Sequence, residues 1–173
     1  LMLHTPVPVS ALYRTAVLRV GGIRVEFGTD SQEAVWRADG HGERPVMREF
    51  LTEVGAGDHV WDVGANIGSY ALLAAAVDAD VTAFEPGPQA RADLLANADQ
   101  NECRNRIDAT PYALADWTGE GVLLPAERAG VRELARDADQ GDTVPVARGE
   151  ALDLPQPDVI KIDVEGAEVA VLD

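Results

Sequence analysis

The run His59-Val60-Trp61-Asp62-Val63-Gly64-Ala65-Asn66-Ile67-Gly68-Ser69-Tyr70 constrains the fold more than any other stretch of the chain. A short strand-like apolar segment ends in a glycine turn, and the alanine-rich segment Ile67–Ala76 follows as a helix. That is the pattern of a buried strand passing directly into a buried helix. The theme returns at Asp80–Phe84 with Pro88–Asn97, where Pro88 takes the favoured first helical position. Ile107–Ala113 reads as a looser third strand with no helix after it. Val159–Val164 reads as a fourth core strand, and Glu165–Leu172 as the start of its helix. Alternating strands and helices with buried strands predict an α/β fold, a mostly parallel sheet with helices on both faces and right-handed crossovers.

The flanking segments are of a different kind. Ala16–Val20 and Ile23–Phe27 alternate apolar and polar residues around Gly21-Gly22, a hairpin signal. Glu43–Val54 carries Val46, Met47, Phe50, Leu51 and Val54 at helical spacing. Residues 1–57 are therefore expected to form a hairpin and helix leading into a core over 58–173. Between the third and fourth core strands, Glu120–Leu124 reads as an added strand that Val144–Ala147 pairs with, and Glu127–Asp142 as a polar, acidic stretch.

Acidic residues outnumber Lys plus Arg by 30 to 14, for a formal net charge of −16. Such a balance opposes a grip on nucleic acid phosphates and on anionic membranes. No apolar run reaches the length of a membrane span, and no secretory leader is recognisable, so a cytoplasmic location is expected. Lys161 is the single lysine, and every other basic side chain is arginine or histidine. Abundant aspartate with almost no lysine matches a protein of a high-salt, halophilic cytoplasm, where the Debye length falls to about 3 Å near 1 M. A GC-rich genome would leave a similar bias. Cys103 stands alone, which excludes an internal disulfide, and His4, His41 and His59 lack metal-ligand spacing.

Three blocks carry candidate chemistry. In the first, Asp62 ends a strand, Gly64 permits a tight turn with backbone close to a ligand, and Gly68 lets the helix pack near the sheet. Open amides at that helix start suit a carboxylate. In the second, Phe84-Glu85-Pro86 ends the next strand, and Glu85 falls 23 residues after Asp62. An acid there is placed to accept hydrogen bonds from a ribose diol. In the third, Lys161-Ile162-Asp163-Val164-Glu165-Gly166-Ala167-Glu168 clusters acids at the carboxyl end of the fourth strand, the edge at which open parallel sheets bind ligands. Close carboxylates there can orient a substrate hydroxyl or take its proton, and Asp163 with Glu165 could hold a hard cation. For Glu168 the alternative is an acid favoured by the helix dipole alone.

These blocks, DVGANIGSYALLAA, VTAFEPGPQARADLLANADQN and DVIKIDVEGAEVAVL, resemble the FkbM family of S-adenosylmethionine-dependent methyltransferases in order and spacing. The resemblance covers roughly Glu43 to Asp173. It implies a Rossmann-like class I methyltransferase fold, with the chain ending before the last strands, and S-adenosyl-L-methionine as cofactor. It also implies methyl transfer to a hydroxyl of a sugar or small metabolite. Carried over to this chain, it implies that Asp62, Gly64, Ala65, Asn66 and Gly68 shape the methionine end of the cofactor pocket. Glu85 with Pro86 would hold the ribose, and Ala113 and Leu114 would lie at the adenine. Asp163 would lie near the sulfonium, with Asp163 or Glu165 as catalytic base, and Glu168 would face the acceptor. No metal is assigned, and the oligomeric state is left open.

Two other readings accompany this one. An NAD-dependent oxidoreductase shares the acid after the second strand, but the G-x-G-x-x-G run is absent. A non-catalytic cofactor-binding or interaction module, or a truncated fragment, would carry the same motifs without turnover.

Overall fold

The computed structural model describes residues 15–28, 42–124, 133–164 and 168–172. Its centre is a four-stranded, fully parallel sheet built from β3 (His59–Val63), β4 (Asp80–Phe84), β5 (Ile107–Thr110) and β10 (Val159–Ile162). The spatial order is β10-β3-β4-β5, so the first and last of these strands in the chain are neighbours. Lys161 pairs in register with Asp62, and Asp62 with Ala83.

Alternation of side chains divides the core in two. Val60, Val81, Ala83 and Ile107 lie in one apolar cluster with α2 (Ser69–Ala75) and α3 (Pro88–Gln100), the preceding α1 (Arg44–Glu53) and the hairpin of β1 (Thr15–Val20) and β2 (Ile23–Gly28). Trp61, Val63 and Phe84 face the other way, against Tyr112, Leu114, Leu152, Leu154 and Val171 of the short α4 (Glu168–Leu172). Helices thus cover both faces, as the strand and helix pattern predicts.

The hairpin turns through Gly21 and Gly22 at φ +57° and +87°, the left-handed pair that a two-residue loop of this twist requires. Leu18, Val20, Val25 and Phe27 project from it into the core. In α1 Met47 is buried with Phe50 and Leu51 packed beside it, Val54 just past the helix end is buried too, and Val46 is exposed.

The third strand is shorter than the sequence pattern predicts. It stops at Thr110 because Pro111 has no N–H to continue the ladder. Ala113 and Leu114 then enter a second sheet as β6, parallel to β9 (Asp142–Ala147). That strand pairs antiparallel with β7 (Gly119–Leu123), as expected for the added strands. The stretch read as polar and acidic contributes one more strand, β8 (Leu134–Ala135), which closes the order β6-β9-β7-β8. No described helix is long and apolar enough to cross a membrane.

Candidate functional site

The three motif blocks meet at the carboxyl rim of the parallel sheet. The chain leaves β3 through Gly64, at φ +75°, and a β-carbon there would fall 2.1 Å from the carbonyl oxygen of Asp163. Only glycine lets the turn after β3 lie against the segment after β10. On its other side the turn is tied to β4. Gly64 and Ala65 both donate their N–H to the Phe84 carbonyl, at 3.0 and 3.1 Å. Asn66, itself left-handed at φ +51°, donates its N–H to Glu85 Oε2 at 2.8 Å. Gly68, at φ +98°, permits the close approach of Leu94, which lies 3.0 Å from where a β-carbon would stand.

Glu85 is almost fully buried, and its second oxygen accepts the N–H of Gly87 at 2.7 Å. Burial pushes its carboxyl above the usual range, as does the nearby Asp62, while the two backbone N–H groups and Lys161 pull it back. An ionised carboxylate has about four acceptor sites. The two backbone donors leave the group capacity to accept from a vicinal diol. Arg91 secures the same corner by donating to the carbonyls of Glu85 and Pro86 at 2.7 and 3.2 Å.

Asp62 is fully buried and turned inward. Its Oδ2 accepts the N–H of Ala71 in the first turn of α2 at 3.0 Å, so one of the amides expected to be open to a ligand is already satisfied by the protein. Its Oδ1 forms an ion pair with Lys161 Nζ at 2.9 Å, without the alignment of a hydrogen bond. Asp163, by contrast, stands at the rim with its side chain 52% exposed and Oδ2 3.9 Å from the same ammonium. Ser69 Oγ is buried and has no hydrogen-bond partner among the described residues.

The remaining expected site residues are placed as follows. Ala65 is buried and Pro86 half-buried at the rim. Leu114 packs with Phe84 and Trp61 beneath the rim, whereas Ala113 lies in the core of the second sheet. Glu168 opens α4 and is exposed. Glu165 lies outside the described residues. No cluster of metal-ligating side chains occurs among the described residues.

Sequence reasoning assigned no role to two contributors. Lys161 sits at the centre of the charge network, and the available signal was its being the single lysine in an arginine-dominated chain. Asn97 of α3 accepts from Gly28 N–H at 3.0 Å and donates to the Ile67 carbonyl at 2.9 Å, joining the hairpin to the glycine turn. No motif announces that bridge.

Known proteins are similar to this chain in sequence and in fold. Residues 62–173 match the methyltransferase FkbM domain family. The chain is 32% identical over 169 residues to the hexuronic acid methyltransferase AglP of Haloferax volcanii, covering 94% of this chain and 69% of that protein. It is 47% identical over 69 residues to the 31-O-demethyl-FK506 methyltransferase FkbM of Streptomyces tacrolimicus, covering 39% of this chain and 26% of the relative. In fold it resembles the crystal structure of methyltransferase FkbM from Methylobacillus flagellatus KT, with a TM-score of 0.52 and 20% identity over 72% of this chain and 30% of that one. It thus spans about two thirds of the Haloferax relative and under a third of the other two. On the family match and the Haloferax relationship, the chain belongs to the FkbM methyltransferase family.

Proposed function

We propose that this chain is the S-adenosylmethionine-binding core of an O-methyltransferase, with an acceptor hydroxyl on a sugar of the hexuronic acid class or on a comparable small metabolite. The observation that carries the reading is the bond from Asn66 N–H to Glu85 at 2.8 Å, which joins the glycine turn and the acid after β4 into one rim where Asp163 also stands. Similarity to a hexuronic acid methyltransferase supports the acceptor class.

The residues present suit the cofactor's chemistry. Glu85 retains acceptor capacity for a ribose diol, and the carboxylates of Glu85 and Asp163 leave the rim negative once Asp62 has neutralised Lys161, an environment suited to a sulfonium. When bound, the cofactor supplies a methyl group already activated by the positive charge on sulfur. The protein's part is to place the acceptor oxygen and remove its proton. Asp163, half-exposed at the rim, is the described carboxylate positioned for that role, and Glu165 is the alternative base. The site must also hold the reacting oxygen in line with the methyl group, because placement turns a bimolecular displacement into an effectively unimolecular one.

Calorimetric titration with S-adenosylmethionine, paired with methyl transfer from a radiolabelled cofactor to hexuronate-containing glycans, tests the reading. Asp163→Asn should still bind the cofactor, more weakly for the loss of one rim charge, while turnover falls roughly 10²–10⁴-fold. Absence of cofactor binding by the parent chain, or full turnover in both Asp163→Asn and Glu165→Gln, would count against it.

A further inference from the structure

The single lysine is buried where a lysine is costly. Its side chain is only 11% exposed, and burial of an ammonium is tolerated only with partners that replace water. Lys161 Nζ has them: Asp62 Oδ1 at 2.9 Å, the Gly64 carbonyl at 3.0 Å, the Val63 carbonyl at 3.4 Å, and Asp163 Oδ2 at 3.9 Å. The ring of Tyr70 lies beneath it with its centroid 5.0 Å away, within the range of a cation–π contact. Two of these partners are main-chain carbonyls of the turn whose amides face β4.

We propose that Lys161 is a positioning residue that sets the glycine turn from below and couples it to Asp163. The inference rests on the proposed cofactor binding and adds a role for a residue to which that proposal assigns no contact with cofactor or acceptor. The turn is held from two sides. Its N–H groups go to Phe84 and Glu85, and its carbonyls go to the ammonium. With both sides held, the peptide planes from Val63 to Asn66 have a fixed orientation, which is what a backbone-lined site needs in order to bind without reorganising. The same ammonium stands between the buried Asp62, which holds the first turn of α2, and the rim acid Asp163. Cofactor turn, helix start and candidate base therefore share one cation.

Lysine suits the place better than arginine. A compact ammonium is a point charge with rotatable donors, and here it donates to two carbonyls and ion-pairs with a carboxylate at once. A planar guanidinium directs its donors in a fixed fork. The chain uses arginine nearly everywhere else, so a lysine at this position answers a geometric demand.

The test compares Lys161→Arg, which keeps the charge, with the double variant Asp62→Asn/Lys161→Met, which leaves no stranded carboxylate. Affinity for S-adenosylhomocysteine is measured by calorimetry and the Gly64, Ala65 and Asn66 amides by NMR. Both variants should keep the hairpin resonances of the parent, shift the three turn amides, and bind on the order of tenfold to a hundredfold more weakly. Parent-like affinity with unmoved turn amides in either variant overturns the proposal. If the parent itself binds no S-adenosylhomocysteine, the cofactor reading fails. The amide shifts, recorded without ligand, still decide whether Lys161 sets the turn. Should one variant not fold, the other decides alone. Should neither fold, hydrogen exchange of the parent decides: turn amides that exchange as fast as the exposed strand ends overturn the proposal.

Discussion

On the proposed function, Glu85 would serve the fold and the ligand with opposite pH dependence. Burial raises its carboxyl above the usual range, so the folded state takes up a proton more readily than the unfolded chain. Its contribution to stability is therefore fully present below the unfolded-state value and is lost as pH rises through the folded-state value. The proposed cofactor binding would run the other way, because the ionised form accepts from Asn66 and Gly87 and keeps capacity for a diol. Affinity for S-adenosylhomocysteine should fall on acidification with a midpoint above that of an ordinary glutamate, and the transition should vanish in Glu85→Gln. A calorimetric pH series checks it, and a midpoint at the ordinary value would contradict the assigned environment. Asp62 teaches the complementary lesson. Its place before a glycine turn marks it as a site residue, yet its oxygens go to Ala71 N–H and Lys161. That destination depends on the register of β10 beside β3, which joins residues far apart in the chain.

Elements were legible where local chemistry decides them. The Gly21-Gly22 pair, the alternation of the flanking strands and the proline opening α3 place the hairpin and that helix close to their observed bounds. The apolar pattern of the third strand continues past Pro111, whereas the ladder cannot. The two-residue β8 exists only by pairing with β7, and a strand so short has no periodicity to detect. Docking of the hairpin also relies on partners remote in sequence. Asn101 donates to the Glu26 carbonyl and accepts its N–H at 2.7 and 2.8 Å, as a neighbouring strand would, and Asn97 continues the pairing at Gly28. Asn97→Ala should cost about 1–3 kcal/mol, since it strands the Gly28 N–H and the Ile67 carbonyl. Urea unfolding measures the loss. Cofactor affinity should fall as well, because Ile67 follows the glycine turn; an unchanged Kd would show that the hairpin is not coupled to the site.

At the scale of the whole molecule, the excess of acids sets the conditions for stability. Several exposed arginines are already paired with carboxylates, Arg106 with Asp78 and Asp80, and Arg136 with Asp116. With 30 acids against 14 Lys and Arg, repulsion among the rest opposes compaction. Salt shortens its reach, from about 10 Å at 0.1 M to about 3 Å near 1 M. We expect Tm to climb as KCl is raised from dilute to molar concentration, despite weakening of the exposed pairs. A flat or falling Tm in a thermal-shift series would reject salt adaptation and leave codon bias as the account of the composition.

The sequence by itself determined the alternation of strands and helices, the left-handed turns that glycine must occupy, and the motif residues brought to one sheet edge. Each follows from the period of apolar residues or from a conformation open to few residue types. The tertiary structure decided which groups those residues hold. Strand order put Lys161 beside Asp62, and the glycine turn against Asp163. A buried charge is defined by its neighbours in space, and long-range strand pairing, which no local pattern encodes, chose them.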